Sequence, residues 1–391
     1  MTETKGIDTS IEYCGRRLQS PFILASGPLS YGAQGMIRAH EAGFGAVVTK
    51  TIRLQAAVNP VHHIGKVSGD TLINCEKWAD FDRLAWYEKE IPEAVRAGAT
   101  VIGSVGHTPG EAKAIVQDVE KAGAHMIELV SYTEDTLLPM LDYAKAHVRI
   151  PVICKLSGNW ANPAATARAC YEHGADGVAA IDSIGPVLKI DIHNRRPLMM
   201  SGDGYGWLTG AAIKPISLRI NADIARGVKG YKNLYCIGGV MSAADALEFL
   251  MVGSHAVGVC TATILKGIGY VGTLRRQLAE LLQTLGFGSL QEAVGAALPN
   301  FPQRECVTDL AFSFAPEACT KCGKCALVCP YAARKLEYPT MHLDAALCRS
   351  CGLCADYCPT GALSSSCKEP TAAHARLAEA SAAFDKMIAG E

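Results

Sequence analysis

The stretch LYCIGGVMSAADALEFLMVGSHAVGVC, residues 234–260, reads as one strand–helix–strand unit. LYCIG (234–238) and AVGVC (256–260) are short apolar runs of the length of buried strands. Between them SAADALEFLMVG (242–253) has helical periodicity and ends on Gly, which a helix C-terminus prefers. Working outward, six further runs of the same kind precede it: FILAS (22–26), GAVVT (45–49), TVIGS (100–104), MIELV (126–130), PVICKL (151–156) and GVAAI (177–181). Helical pieces such as GEAKAIVQDVEKAG (110–123) and ANPAATARACYEHG (161–174) lie between them. Eight strands with mostly helical crossovers predict an α/β protein, a (β/α)8 barrel of the TIM type, over residues 1–305. A doubly wound open sheet is the rival, because periodicity does not count closure. No strand–GxGxxG–helix fingerprint supports it; Gly202, Gly204 and Gly206 follow a polar, basic segment and read as a loop. Residues 50–99 and 182–218 are longer than minimal connections. Both follow strands, so they belong on the face where barrel active sites sit, as lids and substrate-shaping loops.

Composition narrows the function classes. The chain has 391 residues, 49% hydrophobic and 19% charged, enough for a sizeable core. Lys plus Arg is 37 against Asp plus Glu at 38, so no basic surplus exists for a nucleic acid. No apolar run approaches the ~20 residues of a membrane span. The opening MTETKGIDTS does not read as a secretory signal, and a cytoplasmic location is the expectation.

Half of the 16 cysteines fall between Cys319 and Cys358. They form C-x2-C-x2-C-x3-C-P twice: Cys319, Cys322, Cys325, Cys329 before Pro330, then Cys348, Cys351, Cys354, Cys358 before Pro359. This is the spacing of a bacterial-type ferredoxin with two 4Fe-4S clusters, in which the fourth Cys of each run serves the other cluster. The expected ligand sets are Cys319, Cys322, Cys325 with Cys358, and Cys348, Cys351, Cys354 with Cys329. Paired zinc knuckles are the alternative, disulfides a weaker one. The ferredoxin-like domain is expected over 306–368, after the link LPNFPQREC (298–306), with a C-terminal helix or tail over 369–391. Cys14, Cys154, Cys170, Cys236 and Cys260 sit in apolar surroundings and read as buried structural thiols, while Cys75 lies in a polar post-strand loop. Clusters carry one electron at a time, so a two-electron centre is implied elsewhere, a flavin being the natural one.

Residues 20–280 resemble the dihydroorotate dehydrogenase superfamily, and within it the dihydropyrimidine dehydrogenase branch. ASGP (25–28), VVTKTI (47–52), NP (59–60), LINCEKW (72–78), PVICKLSGN (151–159), GADGVAAIDS (174–183), LTGAAIKPISLR (208–219) and IGGVMSAADALEFLMVGSHAVGVCTA (237–262) carry the resemblance. The cysteine cassette matches the branch's C-terminal two-cluster domain. The resemblance implies an FMN across the top of the barrel. Ala25, Ser26 and Gly27 would allow close backbone approach, Lys50 would lie near the ring or ribityl chain, and Lys155 at the N1/O2 edge. Asn74, Thr209 and Gly210 would complete its surroundings. Gly238, Gly239, Gly258 and Thr261 would form the phosphate site, which matches the usual position after strands seven and eight.

One segment departs from the family. Where the family has ELN-[LFIV]-[SG]-C-P-[NH], this chain reads Glu128-Leu129-Val130-Ser131-Tyr132-Thr133-Glu134-Asp135. The substrate-holding Asn is Val130, the proton-transferring Cys aligns with Thr133, and the Asn-Thr pair after strand six is Asp182-Ser183. Val offers no hydrogen bond and an ionised Asp only accepts, so a pyrimidine ring loses two matched partners. Tyr132 is favoured over Thr133 as the acid, with His107 as another acid or ligand. Ser131, Asn74, Asn159, Asp182 and Ser183 are expected substrate contacts; His62 and His63 lie on a lid.

The expected activity is reduction or oxidation of a carbonyl-conjugated C=C in a small planar substrate, electrons passing through the clusters. An NAD(P)H-oxidising flavoprotein subunit, or a soluble ferredoxin, is the expected partner; the resemblance implies a homodimer, and the clusters favour an anaerobic or otherwise reducing setting. Two alternatives stand: an electron-transfer subunit of a larger complex, and an ordinary uracil or thymine dehydrogenase despite the altered segment.

Overall fold

The computed structural model describes residues 7–303, 305, 307–369 and the single positions 371, 374, 376 and 379. Most of the C-terminal helix expected over 369–391 lies outside the described residues. The chain divides into two compact units, Met1–Asn300 and Phe301–Glu391.

In the first unit the eight apolar runs become strands β1 (Phe22–Leu24), β2 (Ala46–Val48), β3 (Val101–Gly106), β4 (Met126–Val130), β5 (Val152–Leu156), β6 (Gly177–Ala180), β7 (Leu234–Cys236) and β8 (Ala256–Val259). Every residue in them is buried, as expected for parallel strands covered on both faces. Neighbours pair in chain order, and Gly258 on β8 lies opposite Ile23 on β1, so the sheet closes on itself. That closure excludes the open-sheet rival.

The crossover helices start where their capping chemistry directs. Thr108 accepts from the Glu111 N–H ahead of Pro109–Lys121, Asn162 from Ala165 ahead of Pro163–Glu172, and Ser242 from Asp245 ahead of Ala243–Met251. The first two carry proline at the first helical position, where its missing N–H removes no bond. At the opposite face, a hairpin of Ile11–Tyr13 and Arg16–Leu18 puts buried Tyr13 edge-on to Tyr235, 6.4 Å between ring centres.

The two long connections are more ordered than loops. Ile64–Ser68, Thr71–Asn74, Gly206–Gly210 and Ile184–Val187 form one four-stranded antiparallel sheet. Segments from the connections after β2 and β6 are thereby tied together. Their short, half-exposed strands mix Gly, Lys and Ser with apolar residues, which hides the period-2 signal. No helix among the described residues is long and apolar enough to cross a membrane.

The second unit is built twice over. Gly323 and Gly352, both left-handed, start the short helices Lys324–Leu327 and Leu353–Asp356. Hairpins pair Leu310–Phe314 with Leu363–Cys367, and Arg334–Glu337 with Thr340–Leu343. Its apolar core is small: Cys325, Cys354, Ala355 and Leu363 are buried, with Phe312, Phe314, Met341 and Cys358 packed against them. A core of that size needs a staple, and thiolate-bound metal is the usual one.

Candidate active site and cysteine pockets

The C-terminal ends of the barrel strands surround a cavity of 310 Å³. Each strand delivers residues to it: Ala25 after β1, Lys50 after β2, His107 after β3, Val130 to Tyr132 at β4, Lys155 on β5, Asp182 after β6, Gly238 (by its backbone) after β7 and Cys260 after β8. Asn74, Thr209 and Gly210 come from the antiparallel sheet.

Two ion pairs set the electrostatics, the first buried on both sides and the second open to the cavity at its carboxylate. Lys50 Nζ lies 2.6 Å from Glu76 Oε2, each side chain only 9% exposed. Lys155 Nζ lies 3.1 Å from Asp182 Oδ1. Burial alone would push the Lys155 ammonium down, but Asp182 and Glu128 hold it above the ordinary lysine value. Glu128, on β4, is 1% exposed with Oε1 unpartnered, and burial raises its carboxyl. Burial acts on Asp182 in the same sense, but Lys155 and the Ser183 N–H keep it below the usual carboxylate range. Asp182 therefore faces the cavity as an anion.

An aromatic shelf covers the β3–β4 side. Arg53 holds Glu111 through Nε–Oε1 at 2.7 Å and Nη2–Oε2 at 3.1 Å, and its guanidinium lies 4.2 Å from the Trp78 ring centre. Glu111 Oε2 in turn accepts from the His107 N–H at 2.7 Å. The His107 ring stacks on Tyr132, centres 4.0 Å apart and 9° from parallel. Trp160 Nε1 donates to Tyr132 O at 3.3 Å, steadying that loop.

Burial first, and the Arg53 charge second, push His107 down to about 4. The unfolded ring takes its proton near pH 6.5, the folded ring only near 4, so this contribution is present above 6.5 and lost as pH falls to 4. The loss is expected to be about 3 kcal/mol. Urea titrations at stepped pH check it: His107→Gln should flatten the stability profile over that interval, and an unchanged slope would refute the assignment.

Most sequence-derived positions meet here: Ala25, Ser26, Gly27, Lys50, Asn74, His107, Ser131, Tyr132, Lys155, Asn159, Asp182, Ser183, Thr209, Gly210, Gly238, Gly239, Gly258 and Thr261 all line the cavity. Thr133 does not; its hydroxyl bonds to Thr136, and it precedes the helix Glu134–His147. Ser131 lines the wall, but its hydroxyl is held by Thr133 O and Thr136. Asn159 has both amide ends on Gly185, and the Asn74 N–H goes to Trp207 O. The asparagines expected to be open to substrate therefore serve largely as braces of the antiparallel sheet. Cys75, His62 and His63 lie outside the lining.

Among the wall residues that sequence reading did not single out, four carry chemistry or flat apolar surface. Cys260, taken for a structural thiol, lines the cavity with its thiol pushed by burial up to about 11. Trp78, Trp160 and Trp207 are three of the chain's four tryptophans, all on connections after strands. That clustering was the available signal.

On the β7–β8 side, Gly238 and Gly239 have φ of +113° and +88°. Among the described residues, no protein group accepts from the N–H of Gly238, Gly239 or Val240, although all three line the cavity. A Cβ on Gly239 would lie 2.4 Å from Lys214 Cβ and 2.6 Å from its backbone N. Gly239→Ala should lower stability by about 1–3 kcal/mol, read as the urea midpoint. A neutral result would contradict the left-handed turn.

The second unit brings the cysteines into two pockets. Cys319, Cys322, Cys325 and Cys358 line one, and Cys329, Cys348, Cys351 and Cys354 the other. Backbone N–H groups point at sulfur: Lys321 at Cys319 (3.4 Å), Ala333 at Cys329 (3.3 Å), Ser350 at Cys348 (3.5 Å) and Leu363 at Cys358 (3.4 Å). Hydrogen bonds from backbone N–H groups hold the Cys322 and Cys358 thiols below their ordinary value. Among the described residues, no three His, Cys, Asp or Glu converge on a single ion site; the sulfurs line pocket walls instead.

Comparison with known proteins agrees with both halves. The dihydroorotate dehydrogenase family matches residues 92–282, and a 4Fe-4S dicluster domain matches 318–362. The catalytic subunit of dihydroorotate dehydrogenase B (NAD(+)) of Methanothermobacter thermautotrophicus is 31% identical over 314 residues, covering 74% of this chain and 98% of that protein. The chloroplastic dihydropyrimidine dehydrogenase (NADP(+)) of Arabidopsis thaliana is 27% identical, covering 75% of this chain and 78% of its own. The NAD-dependent dihydropyrimidine dehydrogenase subunit PreA of Escherichia coli (strain K12) is 27% identical, covering 82% and 85%. An eight-stranded parallel barrel with a strand-end cavity, joined to a 4Fe-4S-type domain and similar over nearly the whole length of the archaeal subunit, places this chain in the dihydroorotate dehydrogenase family.

Proposed function

We propose that the chain is an FMN- and iron–sulfur-dependent oxidoreductase acting on a carbonyl-conjugated C=C of a small planar substrate, exchanging electrons with a partner flavoprotein or ferredoxin through two 4Fe-4S clusters. The observation that carries this reading is the convergence of Lys50, Lys155 and the open N–H groups of Gly238–Val240 on one cavity. These groups fit an anionic flavin phosphate at one end and electron-rich ring atoms at the other. Gly27 fits too: a Cβ there would come 2.8 Å from Cys260 Sγ, so no larger residue keeps that wall flat. The two four-cysteine pockets suit the donor set of cubane clusters, with Cys358 and Cys329 crossing between runs.

When bound, FMN supplies two-electron exchange with a substrate carbon and one-electron exchange with the clusters. The protein's own part is positional. Lys155 keeps a positive charge in the cavity wall because Asp182 and Glu128 compensate its burial. Tyr132 and His107 present a stacked pair of groups able to hold or move a proton at the phenol oxygen or the imidazole. Trp78, Trp160 and Trp207 give the wall flat apolar surface for a planar ring.

The test is reoxidation. Anaerobically reduced, cluster-replete protein is mixed with uracil, thymine, orotate, other cyclic amides and conjugated enoates, and flavin absorbance is followed. Rapid reoxidation by one class is the expected result. Fast turnover of uracil or thymine would return the chain to the ordinary pyrimidine dehydrogenases. A second reading, an electron-transfer subunit, draws on Val130 and Thr133 at the family's substrate-holding and proton-transfer positions. It predicts that no small molecule reoxidises the flavin unless a partner protein is present.

A further inference from the structure

Among the described residues, three lysines and no arginine line the barrel cavity: Lys50, Lys77 and Lys155. Lys77 is exposed to solvent, its ammonium 6.0 Å from the Trp78 ring centre. Lys50 and Lys155 are buried, and each has a carboxylate that lines the cavity with it. Glu76 Oε2 lies 2.6 Å from Lys50 Nζ, and Asp182 Oδ1 lies 3.1 Å from Lys155 Nζ. The interior charge of the cavity is thus balanced pair by pair.

The second pair is built into the strand ends. The Asp182 N–H donates to Leu156 O at 2.9 Å, one residue past Lys155 on β5, and the Ile181 N–H donates to Ile237 O at 2.9 Å. Those two bonds pin the residues after β6 between β5 and the segment after β7. The Ser183 N–H then donates to Asp182 Oδ1 at 2.8 Å, which orients the carboxylate at Lys155. Burial works against both charges, yet each keeps the other ionised. The Lys155 side chain is 7% exposed and that of Asp182 41%, so the carboxylate is the more open of the two toward the cavity.

The consequence rests on reading the cavity as a flavin site with Lys155 beside the N1/O2 edge of the ring. A reduced flavin carries extra negative charge at that edge. An unpaired ammonium there would hold the reduced form more tightly than the oxidised one and raise the midpoint potential. An ammonium 3.1 Å from a carboxylate presents a dipole instead, and the repulsion of Asp182 offsets much of its attraction for the ring. The Asn that the family carries at this position would leave the Lys155 charge whole.

We propose that Asp182, acting through Lys155, sets the bound flavin at a low potential and so biases this site toward giving electrons to its substrate. The observation that carries it is the 3.1 Å pair, held by the Ser183 and Asp182 N–H groups, at the end of the strand that delivers Lys155.

Asp182→Asn tests this because it removes the charge and keeps the shape: the amide oxygen can still accept from the Ser183 N–H and from Lys155. Two readings on anaerobically prepared full-length holoprotein follow the flavin without turnover. One is the midpoint potential from a redox titration. The other is the affinity for sulfite, which adds to flavin N5, leaves negative charge on the ring and bleaches the flavin band. In Asp182→Asn the reduced flavin should gain at least ~10-fold in binding over the oxidised one, an upward shift of about 30 mV for a two-electron couple. Sulfite should bind tighter by at least ~10-fold for the same reason. Asp182→Glu, which can re-form the pair, should stay close to wild type, and the wild-type midpoint should lie below that of free FMN in the same buffer. An Asp182→Asn potential that is unchanged or lower, a sulfite affinity that does not move, an Asp182→Glu protein that behaves as the amide, or a wild-type midpoint above that of free FMN would overturn the proposal. The last comparison decides it even if Asp182→Asn fails to fold. Protein that binds no flavin fails the functional reading, whereas bound flavin with no response to Asp182→Asn removes this inference alone.

Discussion

Replacing Cys358 with serine is expected to empty the pocket of Cys319, Cys322 and Cys325, and to leave that of Cys348, Cys351 and Cys354 filled. Sequence proximity predicts the reverse, since Cys358 closes the run that begins at Cys348. The fold decides otherwise: Cys358 lines the pocket of the first run, while Cys329 lines that of the second. Leu363 N–H, 3.4 Å from Cys358 Sγ, belongs to the strand that pairs with Leu310–Phe314 and fixes the sulfur in place. Loss of one cubane should remove roughly half of the bound iron. Alkylation followed by peptide mass analysis identifies which thiols became accessible. Labelling at Cys319, Cys322 and Cys325 is the expected pattern, and labelling at Cys348, Cys351 and Cys354 would refute the crossed assignment. Metal-linked stability should fall as well, because the apolar core of this unit is small.

Lys155→Met is the second large effect. Methionine keeps much of the volume but leaves Asp182 and the almost fully buried Glu128 without their cation. Breaking such a pair by removing one partner costs about 3–5 kcal/mol; the lower end is expected, because Asp182 keeps access to water in the cavity. The positive charge in the cavity wall is lost with it, so flavin reduction and reoxidation should slow by ~10²–10³-fold. Urea midpoints and stopped-flow absorbance on one preparation read both. Retention of stability and of flavin kinetics would remove Lys155 from the site.

The barrel was legible because its strands are short, continuous apolar runs, the mark of parallel strands buried on both faces. Strand-end lysines and the β7–β8 glycines were legible because the strand order fixes which face they reach. The antiparallel sheet was not. Its partners come from connections more than 100 residues apart, Asn74 opposite Trp207, and local pattern carries no record of such pairing. Side-chain direction was the other gap. Asn159 and Asn74 were open to substrate on paper, yet their amides brace Gly185 and Trp207. Cys260 has the apolar neighbours of a core thiol, but its place just past β8 turns it into the cavity.

The central claim is that one chain carries one flavin in its barrel and two cubane clusters in its second unit. Anaerobic purification of the full-length protein, with flavin, iron and acid-labile sulfide counted per chain, tests that claim most directly. About one FMN with roughly eight iron and eight sulfide is the predicted result. Zinc in place of iron without labile sulfide, or a barrel that carries no flavin, would contradict it.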